Sequence, residues 1–160
     1  MELLRELVAV PSVSGEEAAV AALVEETARG WGLPVVRDAA GVSVRLAGKA
    51  PGQTLALVSH LDVVPPGSGW TRDPFTPVIE GGRLFGRGSY DMKGAVAAMM
   101  LVMRDAREQD GVRLRLGIVS DEESEEEENR GSDALVADGF TGEFAITGEP
   151  TNLQVGVQAK

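Results

Sequence analysis

The sequence predicts a mixed α/β domain, a central sheet flanked by helices, and three observations carry that prediction. The candidate elements run as two helices, three strands, then helix, strand, helix and strand, the order expected of a sheet packed against helices. The run "TLALV" (54–58) is apolar enough to be a central strand. The chain has 160 residues, 43 % of them hydrophobic, which is enough for one ordinary domain with a real core.

Each element has its own reason. "MELLRELVAV" places Leu3, Leu4 and Leu7 at helical spacing and predicts a short amphipathic helix. Ser14 followed by Glu17 has the spacing of a capping box. Ala18, Val20, Ala21, Leu23 and Val24 then predict a helix ending near Gly30 or Gly32. "LPVVRD" and "GVSVRLAG" read as strands around a turn, and "QTLALVSHL" as the next strand. Residues 63–90 are rich in proline and glycine and read as a long loop, which in a compact domain points to function. "GAVAAMMLVMRDAREQ" is apolar nearly all round its first half and reads as a buried helix. "VRLRLGIVS" is a strand; "DEESEEEENRGSDALVADG" opens acidic and becomes a helix; "EFAITGEP" is a strand, and "LQVGVQA" is a candidate for one more.

Composition narrows the function. A formal net charge of -10 disfavours nucleic acid and anionic lipid as partners. With no cysteine there is no disulfide and no thiolate metal site, so a metal would be held by carboxylates and imidazole. The start carries early glutamates rather than a basic segment followed by an apolar one, and the longest apolar run, 95–103, is too short to span a bilayer. A soluble cytoplasmic protein is the expectation.

The candidate chemistry sits at strand ends and turns. His60, the single histidine, and Asp62 end one predicted strand; Asp91 lies in the turn "GRGSYDMKG"; Asp121, Glu122 and Glu123 follow another strand; Glu149 follows a third. Open α/β sheets place ligands at such ends. Histidine with carboxylates is a ligand set for zinc, manganese or cobalt. Asp62, two residues on, can accept the other ring N–H of His60 and fix its tautomer. Of the Glu122–Glu123 pair, one can bind metal while the other serves as a proton shuttle. Each residue alone has an ordinary structural reading. "DEESEEEE" alone reads as a solvated face or the acidic first turn of a helix. It is the coincidence of four such positions that points to a site.

"SHLDVVPPG", "WTRDPFTP", "LFGRGSYDMKG", "SDEES" and "TGEPT", in this order and spacing, resemble the di-metal amidohydrolase and exopeptidase family of acetylornithine deacetylases, succinyl-diaminopimelate desuccinylases, glutamate-releasing carboxypeptidases and aminoacylases. The resemblance spans the whole chain, and "WTRDPF" leans toward the acetylornithine deacetylases. It implies a phosphorylase/hydrolase-like zinc-exopeptidase fold and two divalent metal ions, with zinc expected and cobalt or manganese able to replace it. His60 and Glu149 are then implied ligands of one metal, Glu123 of the other, and Asp91 the bridge between them, held by a cis peptide to Met92. Glu122 is the implied general base, and Asp62 the partner of His60 in catalysis. The implied activity is amide hydrolysis of an N-acyl amino acid or small peptide.

The family needs a second histidine ligand, supplied downstream. It also inserts a lid and dimerisation domain after the stretch corresponding to "VGVQAK". Residues 1–160 are therefore expected to be the N-terminal part of a catalytic domain, incomplete at its C-terminal side and inactive alone. The lid and the returning catalytic segment lie elsewhere, and the full-length protein is expected to be a homodimer. A truncated, non-catalytic metal-binding or regulatory module stays open as the alternative.

Overall fold

The computed structural model describes residues 1–38, 41–46, 52–109, 113–124, 131–152 and 154. Two helices open the chain, α1 (Glu2–Ala9) and α2 (Ala18–Gly30), followed by strands β1 (Val35–Asp38), β2 (Gly41–Leu46) and β3 (Thr54–His60). A hairpin, β4 (Val78–Glu80) and β5 (Arg83–Phe85), precedes α3 (Lys93–Ala106), β6 (Arg113–Val119), α4 (Gly131–Ala137) and β7 (Phe144–Thr147). The main sheet has the order β1-β2-β6-β3-β7. β3 runs parallel to β6 and β7, while β2 pairs antiparallel with β1 and β6. The mixed α/β sheet flanked by helices is thus the architecture observed.

The period-two pattern of the central strands divides the core. Leu57 of β3 and Leu114, Leu116 and Ile118 of β6 face the large cluster built with α1, α2 and α3, including Leu7, Val20, Val24, Val96, Met100 and Met103. Ala56 and Val119 point the other way, onto Leu135 of α4 and Phe140. On the edge strand β7, Phe144 and Ile146 share the side of Leu55 and Leu57 by register, yet are 60 % and 51 % exposed.

Two local readings change, and one buried charge is new. Ser14 does not cap α2: Glu17 holds the N-cap position, with no side-chain cap bond, and Ser14 turns to Asp62 instead. The 63–90 stretch is not all loop. Gly81 and Gly82, at φ 56° and 76°, supply the two successive positive φ values that a tight two-residue hairpin requires, and β4 and β5 form around them. Lys93 begins the apolar helix yet is fully buried. Its ammonium donates to the carbonyls of Leu7 at 2.9 Å and Val10 at 2.8 Å, filling acceptors left open at the end of α1. Burial pushes its pKa down to about 8. The candidate strand 153–159, Gln154 apart, and the acidic run after Ser124 lie outside the described residues. Among the described residues, no helix is long and apolar enough to cross a membrane.

Candidate metal centre

Register brings the strand ends together. His60 pairs with Val119 and Val58 with Thr147, so the residues just beyond β6 and β7, Glu122–Glu123 and Glu149, emerge at the same sheet edge as His60. Asp91 enters from the turn before α3, and its peptide bond to Met92 is cis. Gly148 lets the end of β7 close onto α3, since a Cβ there would lie 2.4 Å from the Cβ of Ala95. A side chain at 148 would push Glu149 away from Asp91 and His60.

His60 is 1 % exposed. Its Nδ1 lies 2.9 Å from the Asp62 carbonyl and 3.3 Å from Asp62 Oδ1, so the aspartate steadies the ring with backbone and carboxylate together. That turns Nε2 outward, 3.4 Å from Asp91 Oδ1, 3.6 Å from Glu149 Oε1 and 3.9 Å from Glu122 Oε2. His60, Asp91 and Glu123 each offer a ligand atom within 4.8 Å of the others. The structure thus gathers His60, Asp62, Asp91, Glu122, Glu123 and Glu149 around one opening, while Asp121 turns to Gly131. Beside it, Tyr90, Gly148, Glu149, Pro150, Thr151 and Asn152 line an open cavity of about 480 Å³.

The residues fit a cation. Among the described residues, His60 Nε2 and Asp91 Oδ1 are both buried and neither has a hydrogen-bond partner, an arrangement native proteins rarely leave uncompensated. Their separation is close to the edge of a zinc tetrahedron, about 3.4 Å from ordinary zinc–ligand bond lengths. Electrostatics agree. Burial raises the pKa of Glu123, with the charge of Asp91 adding to it. Burial likewise raises that of Glu149; His60 offsets part of the shift, and the Asp91, Glu122 and Glu123 carboxylates add to it. Carboxylates gathered this closely repel one another until a positive charge joins them.

Asp62 does more than the sequence shows. It is fully buried, and its Oδ1 accepts the Glu122 N–H at 3.0 Å while its Oδ2 accepts the Glu123 N–H at 2.8 Å. Burial works to raise its pKa, but the hydrogen bonds to His60, Ser14 and the Glu123 amide outweigh burial and hold the carboxyl below its usual range. Asp121 anchors the far side of the same turn by accepting the Gly131 N–H at 2.7 Å.

Residues 56–160 match the sequence profile described as peptidase family M20/M25/M40. The chain belongs to this family. Among solved structures, the M20-family chain is similar to human carnosine dipeptidase 1, with 25 % identity and a TM-score of 0.77 over 91 % of this chain and 37 % of that one. It also resembles an M20 family metallo-carboxypeptidase from Sulfolobus solfataricus, with 23 % identity and a TM-score of 0.76 over 91 % and 36 %. A dinuclear metal-binding M20 peptidase from Bacillus subtilis matches with 18 % identity and a TM-score of 0.52 over 72 % and 33 %. The chain therefore spans only about a third to two-fifths of the length of these relatives.

The centre has a pH signature in the metal-free chain. Burial alone would push the His60 imidazolium down, but the hydrogen bond to Asp62 and the charges of Asp62 and Glu149 outweigh it and raise the pKa from 6.5 to about 9. A pKa raised on folding stabilises the native state fully below 6.5, and this contribution is lost as pH rises through about 9. Because His60 is the single histidine, an NMR titration of its ring is unambiguous. The expected midpoint is near 9, with the urea midpoint falling between pH 6.5 and 9. A midpoint at or below 6.5 would show that Asp62 does not hold the ring in its charged form.

Proposed function

We propose that this chain is the N-terminal, metal-binding part of a two-metal amide hydrolase acting on an N-acyl amino acid or small peptide. In this reading it is acetylornithine deacetylase-like or succinyl-diaminopimelate desuccinylase-like. The lid, the dimer contact and the last histidine ligand belong to the rest of a longer protein. The observation that carries the reading is the pair of buried atoms His60 Nε2 and Asp91 Oδ1, 3.4 Å apart and without a hydrogen-bond partner among the described residues, with the Glu122 carboxylate at the same opening. His60, Asp91 and Glu149 would hold one metal, and Asp91 and Glu123 the second; zinc suits this donor set. Bound divalent cations make a water more acidic and polarise an amide carbonyl.

The chain's own residues supply the remainder. Glu122 accepts the proton of the attacking water on its carboxylate and returns it to the amine nitrogen as the amide C–N bond breaks. Asp62 keeps His60 turned so that Nε2 faces the centre. A second substrate reading, a dipeptide, is favoured by the likeness to carnosine dipeptidase 1.

Metal removal tests the function. Dialysis of the full-length protein against a chelator is expected to abolish hydrolysis, and zinc, cobalt or manganese to restore it. Assayed side by side, N-acetylornithine, N-succinyl-diaminopimelate and dipeptides decide the substrate class. Full activity after complete metal removal, or metal binding with no hydrolysis of any of these, would sink the proposal; the second result favours the non-catalytic module.

A further inference from the structure

The loop between α1 and α2 is strapped along the segment that follows β3. Ser12 Oγ donates to the Leu61 carbonyl at 2.7 Å, and the Val63 N–H donates to the Ser12 carbonyl at 2.9 Å. Val13 and Val63 form a parallel bridge. At the end of the strap, Ser14 Oγ donates to Asp62 Oδ2 at 2.8 Å. The turn that presents Ser14 is itself fixed: Gly15 takes φ 94°, and its N–H donates to Glu17 Oε1 at 2.5 Å.

Asp62 therefore has four groups to serve. Its carboxylate faces the His60 ring and accepts the Glu122 and Glu123 amides and the Ser14 hydroxyl. An aspartate has two side-chain torsions, and its terminal one is broad. The two amides come from a turn whose own side chains are acidic, and the charge of Asp62 works against that of Glu123. Ser14, arriving from a third part of the chain, gives Oδ2 a second donor and fixes the plane of the carboxylate.

We infer that Ser14 is a positioning residue of the centre: by orienting Asp62 it sets where the Glu122–Glu123 turn sits, and so where both side chains enter the site. The roles of Glu122 and Glu123 rest on the proposed function; the control of their position does not.

The test uses the 160-residue chain with Ser14→Ala and Ser14→Thr, read by amide hydrogen exchange and by zinc titration. Ser14→Ala is expected to speed exchange at the Glu122 and Glu123 amides about tenfold or more, leaving the central amides of β3 and β6 protected. Zinc affinity is expected to fall about 10–100-fold, the usual cost of removing a group that orients metal ligands. Ser14→Thr keeps the hydroxyl and is expected to restore both readouts. Unchanged exchange at Glu122 and Glu123 overturns the inference. So does an equal loss of protection throughout the sheet, which would make Ser14 a general stability residue, and so does a threonine variant that behaves like alanine. If the unaltered chain binds no zinc, the exchange readout decides the inference by itself.

Discussion

Replacing Glu122 by glutamine in the full-length protein is expected to lower kcat about 10²–10⁴-fold, the range for losing a general base, with metal content unchanged. The substitution keeps the shape of the side chain and the backbone N–H that Asp62 holds. It removes the ability of the carboxylate to accept a proton, and with it the negative charge that Glu122 adds beside Glu123 and Glu149. Because the lost interaction belongs to the transition state, kcat and kcat/KM should fall together while KM stays near its original value. Steady-state kinetics with metal analysis on the same sample check this. A variant retaining most of its activity would move the base elsewhere. Loss of metal alongside activity would make Glu122 a ligand instead.

Replacing His60 by alanine is expected to weaken zinc binding to the chain by at least about a hundredfold, since it removes the one imidazole from a site otherwise made of carboxylates. The pH dependence gives a second, independent reading. Zinc needs a neutral ring, and His60 in the metal-free chain holds its proton up to about pH 9. Each binding event must therefore release that proton. Apparent affinity should rise about tenfold per pH unit across 6.5–9, and the alanine variant should lose most of that slope. Calorimetric titrations in buffers of different ionisation enthalpy count the proton directly. Equal affinities for the two chains would place the metal away from His60.

How much of this could be read from the residues depended on how local the signal was. His60 and Asp62 were legible because a strand end fixes both positions within three residues. The sheet was legible from "TLALV" and "VRLRLGIV", whose periodicity matches their two-sided burial. Ser14 was misread because Ser-x-x-Glu has the same spacing whether the serine caps its own helix or, as here, bonds to an aspartate 48 positions away. The burial of Lys93 was invisible for the same reason: its acceptors lie 83 and 86 residues upstream. The β4–β5 hairpin did carry a local signal, Gly81–Gly82 between two short apolar runs, but the surrounding prolines suggested loop throughout. The double service of Asp62, to a ring and to two amides, could not be read at all. It exists only once β3 and β6 lie side by side.

That adjacency also governs when the centre can come into being. His60, the Glu122–Glu123 turn and Glu149 follow three neighbouring parallel strands that begin at Thr54, Arg113 and Phe144. No two of them can meet until long stretches of chain have closed, and such closures cost entropy before any contact offsets it. A cation therefore has no short ligand motif to gather early, as it would in a small zinc-organised domain. A cation bound at the proposed centre would enter a nearly finished sheet, and is expected to slow unfolding far more than it speeds folding.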